Sequence, residues 1–573
     1  MKKFKFILTF IKPYKFKLLI AFVCSLIYVF CNVFIPILAG KALDSMENGV
    51  DFSLLSYYLY IILAFLLISS LFYWILAFLA NYVSYCVAQD MRNLSFKTII
   101  NAKISALDNS SYGDLISTII NDISLISDGI IQTFIQLFTG LFSIITILIM
   151  MFIFSYQLAL IVFVLTPLSV LASSLIAKGT AKTFRNQSDY RGKLSAIVNE
   201  NLQNQKTIIS SNYQEEAIKK YEEVAKDLKK YDKWSMFFSS LINPTTRLIN
   251  SIIYGFVAVI GAILIINKVI FLSTGNLMTF LMFTNNYTNP FNEISEVISQ
   301  LQTAFASSAR LEKLLKLEQI DDSSEVQDFA GDGDIVLDHV SFSYDNKKKI
   351  LDDISLTIKK GSHVAIVGKT GCGKTTLINL IMRFYDVSSG QIKINNVDIK
   401  SIKRDQLRKH IGMVLQDTWI FNGTIKENIS YSKIDASYDE IIRASKKSNA
   451  DFFIKQMENG YDTFVSNNSG LSAGQKQLLC ITRLFLQTPE ILILDEATSN
   501  IDTLNEQIVS KDFDQIMKGK TSIVIAHRLS TIKNADMIIY LGDGKILEKG
   551  THEELLKLNG YYAELYNSQF RKI

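Results

Sequence analysis

The first half of this 573-residue chain is dominated by long stretches that contain no charged residue. They cover residues 18–40, 52–89, 129–177, 248–267 and 269–292. A helix needs about 20 predominantly apolar residues to cross a bilayer. The third stretch has 49 residues, enough for two helices joined by a turn near Ser155. The pattern therefore predicts six membrane-spanning helices, the second of which continues beyond the bilayer.

Basic residues predict which ends of these helices are cytoplasmic. Six lysines lie among the first 17 residues, residues 90–128 contain two lysines and one arginine, and residues 178–247 are rich in lysine and arginine, whereas residues 41–51 contain one lysine and three acidic residues. Basic loops stay on the cytoplasmic side. The N-terminus is therefore predicted to be cytoplasmic, preceding the first span as an amphipathic segment on the membrane surface. A signal peptide is disfavoured, because the 23 uncharged residues from 18 to 40 exceed a signal core.

Composition agrees with a membrane protein. Apolar residues make up 49% of the chain and charged residues 20%. The net charge of +5 is mild and its basic clusters flank the apolar stretches, so membrane orientation explains it and no nucleic acid is expected as a partner. The five cysteines lack metal-ligand spacing and indicate small buried residues rather than a disulfide framework.

From residue 335 onward the pattern changes. Short β-branched stretches, among them 335–340 and 364–367, alternate with helical ones. This alternation predicts an α/β domain with a mostly parallel sheet, placed in the cytoplasm by the even number of spans. We therefore expect a multi-domain membrane protein. Its parts are a six-helix all-α transmembrane domain with two long intracellular loops (1–317), an acidic linker (318–333) and the α/β domain (334–573).

A glycine-rich loop follows the predicted strand 364–367. Its residues are Gly368, Lys369, Thr370, Gly371, Cys372, Gly373, Lys374, Thr375 and Thr376. Glycines let backbone N–H groups curl around phosphate oxygens, and the start of the following helix adds partial positive charge. Lys374 is predicted to reach the β- and γ-phosphates, and the Thr375 hydroxyl to ligate Mg²⁺. The pattern indicates a P-loop nucleotide-binding domain.

Two carboxylates, Asp495 and Glu496, follow the buried strand predicted over 491–494. In open α/β sheets ligands lie at this carboxyl edge. Asp495 is predicted to bind Mg²⁺ through water, and Glu496 to polarise the attacking water as the catalytic base. Such a pair is by itself typical of a solvated strand end; the phosphate loop favours the catalytic interpretation.

A third motif precedes that strand: Leu471, Ser472, Ala473, Gly474, Gln475, Lys476 and Gln477. It resembles the signature of ATP-binding-cassette proteins. Other motifs are similar in order. Tyr344 matches the aromatic residue that stacks on adenine, and Gln416 matches the glutamine between the phosphate loop and the signature. Asp502 matches the D-loop aspartate, and His527 matches the switch histidine. A lone histidine is usually a satisfied core residue, so the interpretation of His527 depends on the other motifs. The membrane half resembles this family's exporters, with residues 113–122 and 200–216 similar to their two intracellular loops.

This resemblance implies the cofactors and the partner. ATP and Mg²⁺ are expected, with Thr375, Gln416 and Asp495 holding the metal, the last through water. Ser472, Ala473, Gly474 and Gln475 are expected to act on ATP held by a second half-transporter, in a homodimer or a heterodimer. The ending Tyr566 to Phe570 resembles the catalytically competent half of heterodimeric multidrug exporters. Short helices near 107–113 and 210–214 are expected to transmit motion to the membrane.

Some residues depart from the family's pattern. Ala473 replaces the first glycine of the signature, and Asn500 and Ile501 replace the usual Ala-Leu of the D-loop. Residues 466–470 carry no charge where many exporters have a glutamate. Cys372 is interpreted as a small loop residue; the alternative is a redox switch whose thiol pKa is lowered at a helix N-terminus.

The substrate is constrained by the near absence of charge from the spans, where Arg247 and Lys268 only flank the fifth. A fixed ionic substrate at mid-membrane is therefore disfavoured. The sequence predicts ATP-driven export of a hydrophobic or amphipathic substrate (drug, lipid or peptide) across the cytoplasmic membrane by alternating access. The alternatives are a dedicated peptide exporter, and an ATP-gated channel or regulatory membrane ATPase.

Overall fold

The computed structural model describes residues 2–46, 51–267, 272–320, 329–345, 348–415, 418–466, 470–495, 503–525 and 533–570. Two compact units follow from the contacts within the chain. The first, the membrane unit, comprises Met1–Ile100 and Tyr112–Lys316. The second, the nucleotide unit, comprises Leu317–Ile573 together with the short segment Asn101–Ser111.

The membrane unit is entirely helical in its described residues. Its helices are α1 (Lys2–Ile11), α2 (Lys15–Asp44), α3 (Phe52–Ile100), α5 (Tyr112–Ser117), α6 (Ile123–Gln132), α7 (Phe138–Phe154), α8 (Tyr156–Gln203), α9 (Gln205–Ser210), α10 (Gln214–Ile266) and α11 (Thr274–Leu315), while α4 (Ile104–Asp108) belongs to the nucleotide unit. Single π-helical turns, Thr118–Asp122 and Thr133–Leu137, join α5 to α6 and α6 to α7. Such turns insert an extra residue without ending the helix.

Four helical segments among the described residues are long and apolar enough to cross a membrane: Lys5–Asp44, Phe52–Ile100, Tyr112–Phe154 and Gln214–Ile266. A shorter apolar segment, Tyr156–Leu168, opens α8. The turn predicted near Ser155 is present, because Ser155 is extended (φ −161°) and its hydroxyl accepts a hydrogen bond from the Leu158 N–H at 3.5 Å. The number of six crossings remains a prediction, since neither the whole of α8 nor α11 is among these four segments.

The most extensive helix pairs of the membrane unit are α8 with α10 and α2 with α3, and α11 contacts α2, α6 and α7. Near their ends α2 and α11 approach closely: a Cβ atom added to Gly275 would lie 2.0 Å from the carbonyl oxygen of Gly40. The Asp44 carboxylate accepts hydrogen bonds from the Ser273 hydroxyl (2.6 Å) and the Gly275 N–H (2.7 Å). The second bond satisfies an amide at the start of α11, and both bonds fix this helix against the end of α2.

The nucleotide unit is built on two larger sheets and a two-stranded ribbon. The first sheet, in the order β2-β1-β4-β5, is antiparallel; the second has the order β12-β11-β3-β10-β9-β6, with β12 its antiparallel edge strand; the ribbon is β7-β8. The strands are β1 (Ile335–Phe342), β2 (Leu351–Ile358), β3 (His363–Val367), β4 (Ser389–Ile394), β5 (Val397–Asp398), β6 (Ile411–Val414), β7 (Gly423–Thr424), β8 (Phe464–Val465), β9 (Ile491–Asp495), β10 (Thr521–Ile525), β11 (Met537–Gly542) and β12 (Lys545–Gly550).

Helices connect these strands, as α/β topology requires. They are α12 (Lys374–Ile381), α13 (Arg404–Lys409), α14 (Ile425–Ser430), α15 (Tyr438–Lys447), α16 (Ala450–Lys455), α17 (Ala473–Gln487), α18 (Thr503–Met517), α19 (His552–Leu558) and α20 (Tyr561–Phe570).

The mostly parallel sheet predicted from the sequence is confirmed. All five residues of β9 and of β10 are buried, as expected for central strands covered on both faces. The stretch 335–340 differs from the prediction, because it does not join this sheet. It forms part of β1 in the antiparallel sheet. Its residues alternate between more and less buried positions, so one face of the strand packs against the core. Local sequence predicts a strand, but only its partners decide which sheet it enters.

Candidate nucleotide-binding and coupling site

The glycine-rich loop joins β3 to α12, as predicted. Gly368 (φ 152°) and Gly373 (φ 106°) adopt backbone conformations that other residues rarely reach. A Cβ atom on Gly368 would also lie 2.2 Å from the carbonyl oxygen of Leu541. The loop therefore needs glycine at both positions, a backbone geometry typical of loops whose amides bind phosphate.

Lys374 begins α12, and only 8% of it is exposed. Its Nζ donates hydrogen bonds to the carbonyl oxygens of Gly368 (2.8 Å) and Lys369 (3.1 Å), so the ammonium group is folded into the loop. Thr375 is exposed next to it, and Thr376 is buried. A cation, loop amides and a helix N-terminus together form a positively polarised cradle, which suits phosphate groups.

The register of the parallel strands places Asp495 beside this loop. Asp495 at the end of β9 pairs with Ile525 of β10, and Ile525 pairs with Ile366 of β3. The three residues form one row across the sheet, and the loop begins two residues after Ile366. Asp495 is 92% buried at the carboxyl edge, where ligands of open α/β sheets bind.

Four predicted site residues lie outside the described residues: Gln416, Glu496, Asp502 and His527. The first residue after β9 is Glu496, and His527 is the second residue after β10. The strands that precede Glu496 and His527, β9 and β10, therefore end at the sheet edge that carries the phosphate loop. The roles given to these four residues remain predictions.

The residues available to Mg²⁺ supply oxygen atoms, the donors that this ion prefers. Thr375 provides an exposed hydroxyl, and Asp495 a carboxylate at the same sheet edge. No group of three or more histidine, cysteine, aspartate or glutamate side chains with metal-site geometry occurs in the described part of the chain. The donor set fits a metal that is shared with bound phosphates and water rather than held by a protein cage.

Tyr344 lies close to the phosphate-loop helix. Its hydroxyl is 3.2 Å from the Thr376 hydroxyl, and 47% of the residue is exposed. Its ring packs edge-on against the ring of Tyr385, with centroids 5.0 Å apart and planes at 89°. The aromatic platform predicted for adenine is therefore held beside the loop with part of its surface open to a ligand.

Tyr385 connects this platform to the loop helix α4. Its hydroxyl donates a hydrogen bond to the Asp108 carboxylate at the end of α4. The start of the same segment is anchored by Lys103, whose N–H donates to the Glu318 carbonyl oxygen at 2.8 Å and whose Nζ pairs with the Glu318 carboxylate at 3.2 Å. Sequence reasoning missed Tyr385, since an aromatic after a helix is usually a packing residue.

The loop helices differ in position from the prediction. The first covers Ile104–Asp108 rather than 107–113, and the second, α9, covers Gln205–Ser210 rather than 210–214. The first begins early because Lys103 is extended (φ −61°, ψ 140°), so the helix begins at the next residue. Helix ends of this kind depend on local backbone geometry that an apolar pattern does not reveal.

The signature residues form the N-terminus of α17. The Ser472 hydroxyl accepts a hydrogen bond from the Gln475 N–H (3.2 Å), and the Gln475 side-chain oxygen accepts one from the Ser472 N–H (2.9 Å). This reciprocal capping box fixes the first turn. Ser472 and Ala473 are exposed, while Gly474 is buried. Small exposed residues leave the helix start accessible to a negatively charged group.

Cys372 does not have the activated thiol that a helix N-terminus suggested. Burial raises the pKa of the Cys372 thiol, and the nearby positive charge of Lys374 only partly opposes this effect. Only 8% of the residue is exposed. The alternative of a redox switch is disfavoured, because desolvation of the thiolate outweighs the favourable charge. Cys372 is therefore a small buried residue of the loop.

Comparison with known proteins identifies the class that this fold and site define. Residues 18–291 match the model of the ABC transporter transmembrane region, and residues 351–499 match the ABC transporter model. The chain belongs to the ATP-binding-cassette transporter family. It is an exporter half-transporter, a multi-pass membrane protein that binds ATP and couples ATP hydrolysis to transport.

Curated relatives cover nearly the whole chain. It is 35% identical over 540 residues to an uncharacterised ABC transporter ATP-binding protein of Bacillus subtilis, covering 94% of this chain and 89% of that protein. It is 35% identical over 535 residues to a fatty acid ABC transporter ATP-binding/permease protein of Mycobacterium tuberculosis, covering 93% and 84%. An ATP-dependent lipid A-core flippase of Desulfotalea psychrophila is 33% identical over 560 residues, with 97% of each chain covered.

Proposed function

We propose that this protein exports a lipid-like amphipath across the cytoplasmic membrane by alternating access, as a dimer of half-transporters with the nucleotide unit in the cytoplasm. The observation that carries the proposal is the contact path from Tyr344 through Tyr385 to Asp108. It connects the nucleotide-binding residues to α4, which lies in the sequence between the membrane-unit helices α3 and α5. Two relatives named for fatty acid and for lipid A-core support the substrate class.

The nucleotide would be held by groups that face the carboxyl edge of the parallel sheet. Tyr344 stacks on the adenine, while Lys374 exchanges its hydrogen bonds with loop carbonyls for bonds to phosphate oxygens. The Thr375 hydroxyl, Gln416 and, through water, Asp495 would hold Mg²⁺, which would neutralise phosphate charge when bound. The loop glycines bring the backbone amides of 370–376 against the same phosphates.

Hydrolysis would then depend on two further side chains. Glu496 orients and polarises the attacking water, and His527 contacts the γ-phosphate as it leaves. Both follow strands of the parallel sheet, so a shift of the γ-phosphate alters contacts at one edge. Asp495, the residue before Glu496, is buried at the end of β9.

The exposed start of α17 would complete the ATP site of a second half-transporter. The Ser472 hydroxyl and the amides of Ala473 and Gly474 are presented at a helix N-terminus, where a γ-phosphate is stabilised. Gln475 holds the serine in place through the capping box. With Asp502 nearby in the family's order of motifs, each half would contribute to its partner's nucleotide, and ATP would hold the two nucleotide units together.

Coupling to the membrane would run through the aromatic contact. Adenine that stacks on Tyr344 restricts the ring, and the edge-on Tyr385 ring is displaced with it. The Tyr385 hydroxyl holds Asp108, so α4 follows. A ligand shifts such an equilibrium only through contacts that differ between two states, and this path provides one.

The test is reconstitution into liposomes with a fluorescent fatty acid or phospholipid in the membrane. We expect ATP-dependent movement between leaflets in the wild type. Glu496→Gln should abolish both turnover and movement while ATP still binds, and Glu458→Gln, an exposed carboxylate of the same unit, should leave them unchanged. Turnover without lipid movement, or ion currents gated by ATP, would contradict the export proposal. Stimulation by peptides but not by lipids would favour the peptide exporter.

A further inference from the structure

Helix α11 combines an uncharged N-terminal stretch with a low apolar content. The residues from 269 to 292 are uncharged, yet α11 is not among the four described segments that are apolar enough to cross a membrane. The cause is a polar stretch in its first half, which reads Thr284, Asn285, Asn286, Tyr287, Thr288 and Asn289. Polar side chains within a membrane helix are costly and usually face a protein interior or a cavity.

The polar residues of this stretch divide between two faces of the helix. Thr284 and Thr288 are buried beside Phe283, and their hydroxyls donate to backbone carbonyls at 3.0 and 3.1 Å. Asn285 and Asn289 lie one turn apart, each about 100° around the helix from a threonine. With Asn286 they are exposed, and the spacings of four residues (Asn285 to Asn289) and three residues (Asn286 to Asn289) place them on one face. The buried polar groups are therefore satisfied by the helix itself, and the exposed ones define a carboxamide face (Asn285, Asn286, Asn289).

The depth of the carboxamide face makes contact with lipid tails unfavourable. Asn285 and Asn289 lie 11 and 15 residues after Thr274, the start of α11, which is roughly 16 to 22 Å along the helix. The hydrocarbon core of a bilayer is about 30 Å thick. Within the described part of the chain no hydrogen bond engages these three side chains. A polar side chain left without a partner in the bilayer is costly, so we expect a bound molecule or a second copy to supply their hydrogen bonds.

The chemistry of the carboxamide face limits which groups can form hydrogen bonds with it. Each carboxamide both donates and accepts hydrogen bonds and carries no charge, so an uncharged group that also does both, such as a hydroxyl, complements it. No charged residue occurs between 274 and 292, so an ion pair is not part of the recognition. Met278, exposed on the same side, and the half-buried Met282 lie toward the start of the helix. Flexible methionines suit an alkyl chain.

We propose that the carboxamide face binds the hydroxyl-bearing headgroup of the transported amphipath, with the alkyl chain lying along Met278 and Met282. The proposal rests on the export function and adds the headgroup chemistry that the protein recognises. Hydrogen bonding, rather than charge, then distinguishes substrates that have the same alkyl chain. The competing occupant, α11 of a second copy, is an outcome of the test.

The test measures binding and needs no ATP turnover. The chain in phosphatidylcholine nanodiscs is photolabelled with a diazirine-bearing 1-O-hexadecylglycerol, and the labelled peptides are identified by mass spectrometry. Two unlabelled amphipaths compete: 1-O-hexadecylglycerol, which has two hydroxyls and no charge, and hexadecyltrimethylammonium, which has a charge and no hydrogen-bonding group. We expect labelling within 274–289 and about tenfold stronger competition by the glycerol ether, the effect of one or two hydrogen bonds.

Variants assign the preference to the carboxamides. Asn285→Leu, Asn286→Leu and Asn289→Leu combined should abolish the tenfold preference, whereas the three serine substitutions, which restore hydroxyls, should retain most of it. Thr284→Val with Thr288→Val is the matched control, since it removes polarity from the buried face of the same helix. It should leave the preference unchanged.

Several outcomes would overturn the proposal. Labelling outside α11, equal competition by the two amphipaths in the wild type, or an unchanged preference in the leucine variant would each do so. A change from dimer to monomer in the leucine variant, with the preference intact, would assign the face to contact between copies. Normal labelling without ATP-driven lipid movement would contradict the export proposal alone.

Discussion

Large apolar residues lie in the interior of the nucleotide unit, whereas many of those in the membrane unit lie on its outer surface. In the nucleotide unit, the apolar residues of β9 and β10 are fully buried between helices. In the membrane unit, α3 carries its large apolar residues outward: Leu67 and Trp74 are each 64% exposed, while Leu76 is fully buried. The difference follows from the solvent, because water excludes apolar surface and lipid does not.

This difference changes how a functional residue is recognised. In the nucleotide unit a buried charged residue such as Lys374 or Asp495 stands out against an apolar core. In the membrane unit an exposed apolar residue does not indicate function. Exposed polar residues such as Asn285 are the candidates for function there. The following predictions test this contrast, from the largest effect to the smallest.

The largest effect is expected at Lys374. Lys374→Ala removes the cation folded into the phosphate loop and should reduce ATP turnover by on the order of a thousandfold, comparable to loss of a group that stabilises transition-state charge. Lys369→Ala is the matched control, because Lys369 is exposed and contributes only its backbone carbonyl. Steady-state ATPase assays compare the two variants. Similar losses in both would show that loop charge, rather than the Lys374 position, is what matters.

A pair of leucines in α3 tests the contrast between buried and lipid-facing positions directly. Leu76→Ala should destabilise the protein by about 2–5 kcal/mol, since it leaves a cavity in a packed interior. Leu67→Ala should have little effect, because lipid chains fill the space. Thermal unfolding in nanodiscs measures both. Equal destabilisation would mean that the outer surface of α3 is covered by protein.

Asp512 in α18 gives a pH dependence confined to the nucleotide unit. Burial raises the pKa of Asp512 to about 6, and the Asn449 side-chain N–H₂ donates to it at 2.6 Å. The folded protein therefore binds the proton more tightly than the unfolded chain. This contribution to stability is complete below the unfolded pKa of about 3.9 and is lost as pH rises through about 6.

Asp512→Asn should remove the loss of stability that occurs as pH rises through the pKa of Asp512. We expect it to stabilise the protein at pH 8 by up to about 3 kcal/mol, from a shift of roughly two pKa units, and by much less at pH 5. Asp514→Asn, exposed on the same helix, is the control. Unfolding temperatures at the two pH values provide the measurement. A stabilisation that is independent of pH would assign the effect to packing instead of to the proton.

The smallest effect is expected at Tyr385. Tyr385→Phe removes the hydroxyl that holds Asp108 while keeping the ring against Tyr344. Loss of one hydrogen bond to a charged group is worth about 1.5–3 kcal/mol when buried and less here, because Asp108 is exposed. ATP affinity should remain within twofold while lipid-stimulated turnover falls several-fold. Equal changes in both would place Tyr385 in nucleotide binding rather than in coupling.

Much of the nucleotide unit could be predicted from the sequence. The strand expected over 364–367 is observed as His363–Val367, and the strand over 491–494 ends at Asp495 as Ile491–Asp495. The glycine spacing of the phosphate loop is equally explicit, because backbone conformation at Gly368 and Gly373 excludes other residues. These features are local, and local steric rules can be applied to neighbours in the chain.

Contacts between distant segments could not be predicted in this way. Tyr385 and Asp108 are separated by 277 residues, and neither stands in a pattern that indicates the other. The buried thiol of Cys372 is a second case, since the sequence shows the helix that lowers its pKa but not the core that raises it. The division of the polar stretch of α11 into a satisfied and an open face is a third.

The sequence by itself determined the membrane-spanning character, the α/β nucleotide unit and the residues of the phosphate loop. Each follows from composition, periodicity or sterics within a few residues. Tertiary structure alone decided which sheet β1 joined, how Tyr344 was linked to α4 and which asparagines of α11 remained exposed. Those outcomes depend on what packs against each residue. The packing partners come from segments far apart in the chain, and their contacts determine both the desolvation and the hydrogen bonding of each residue.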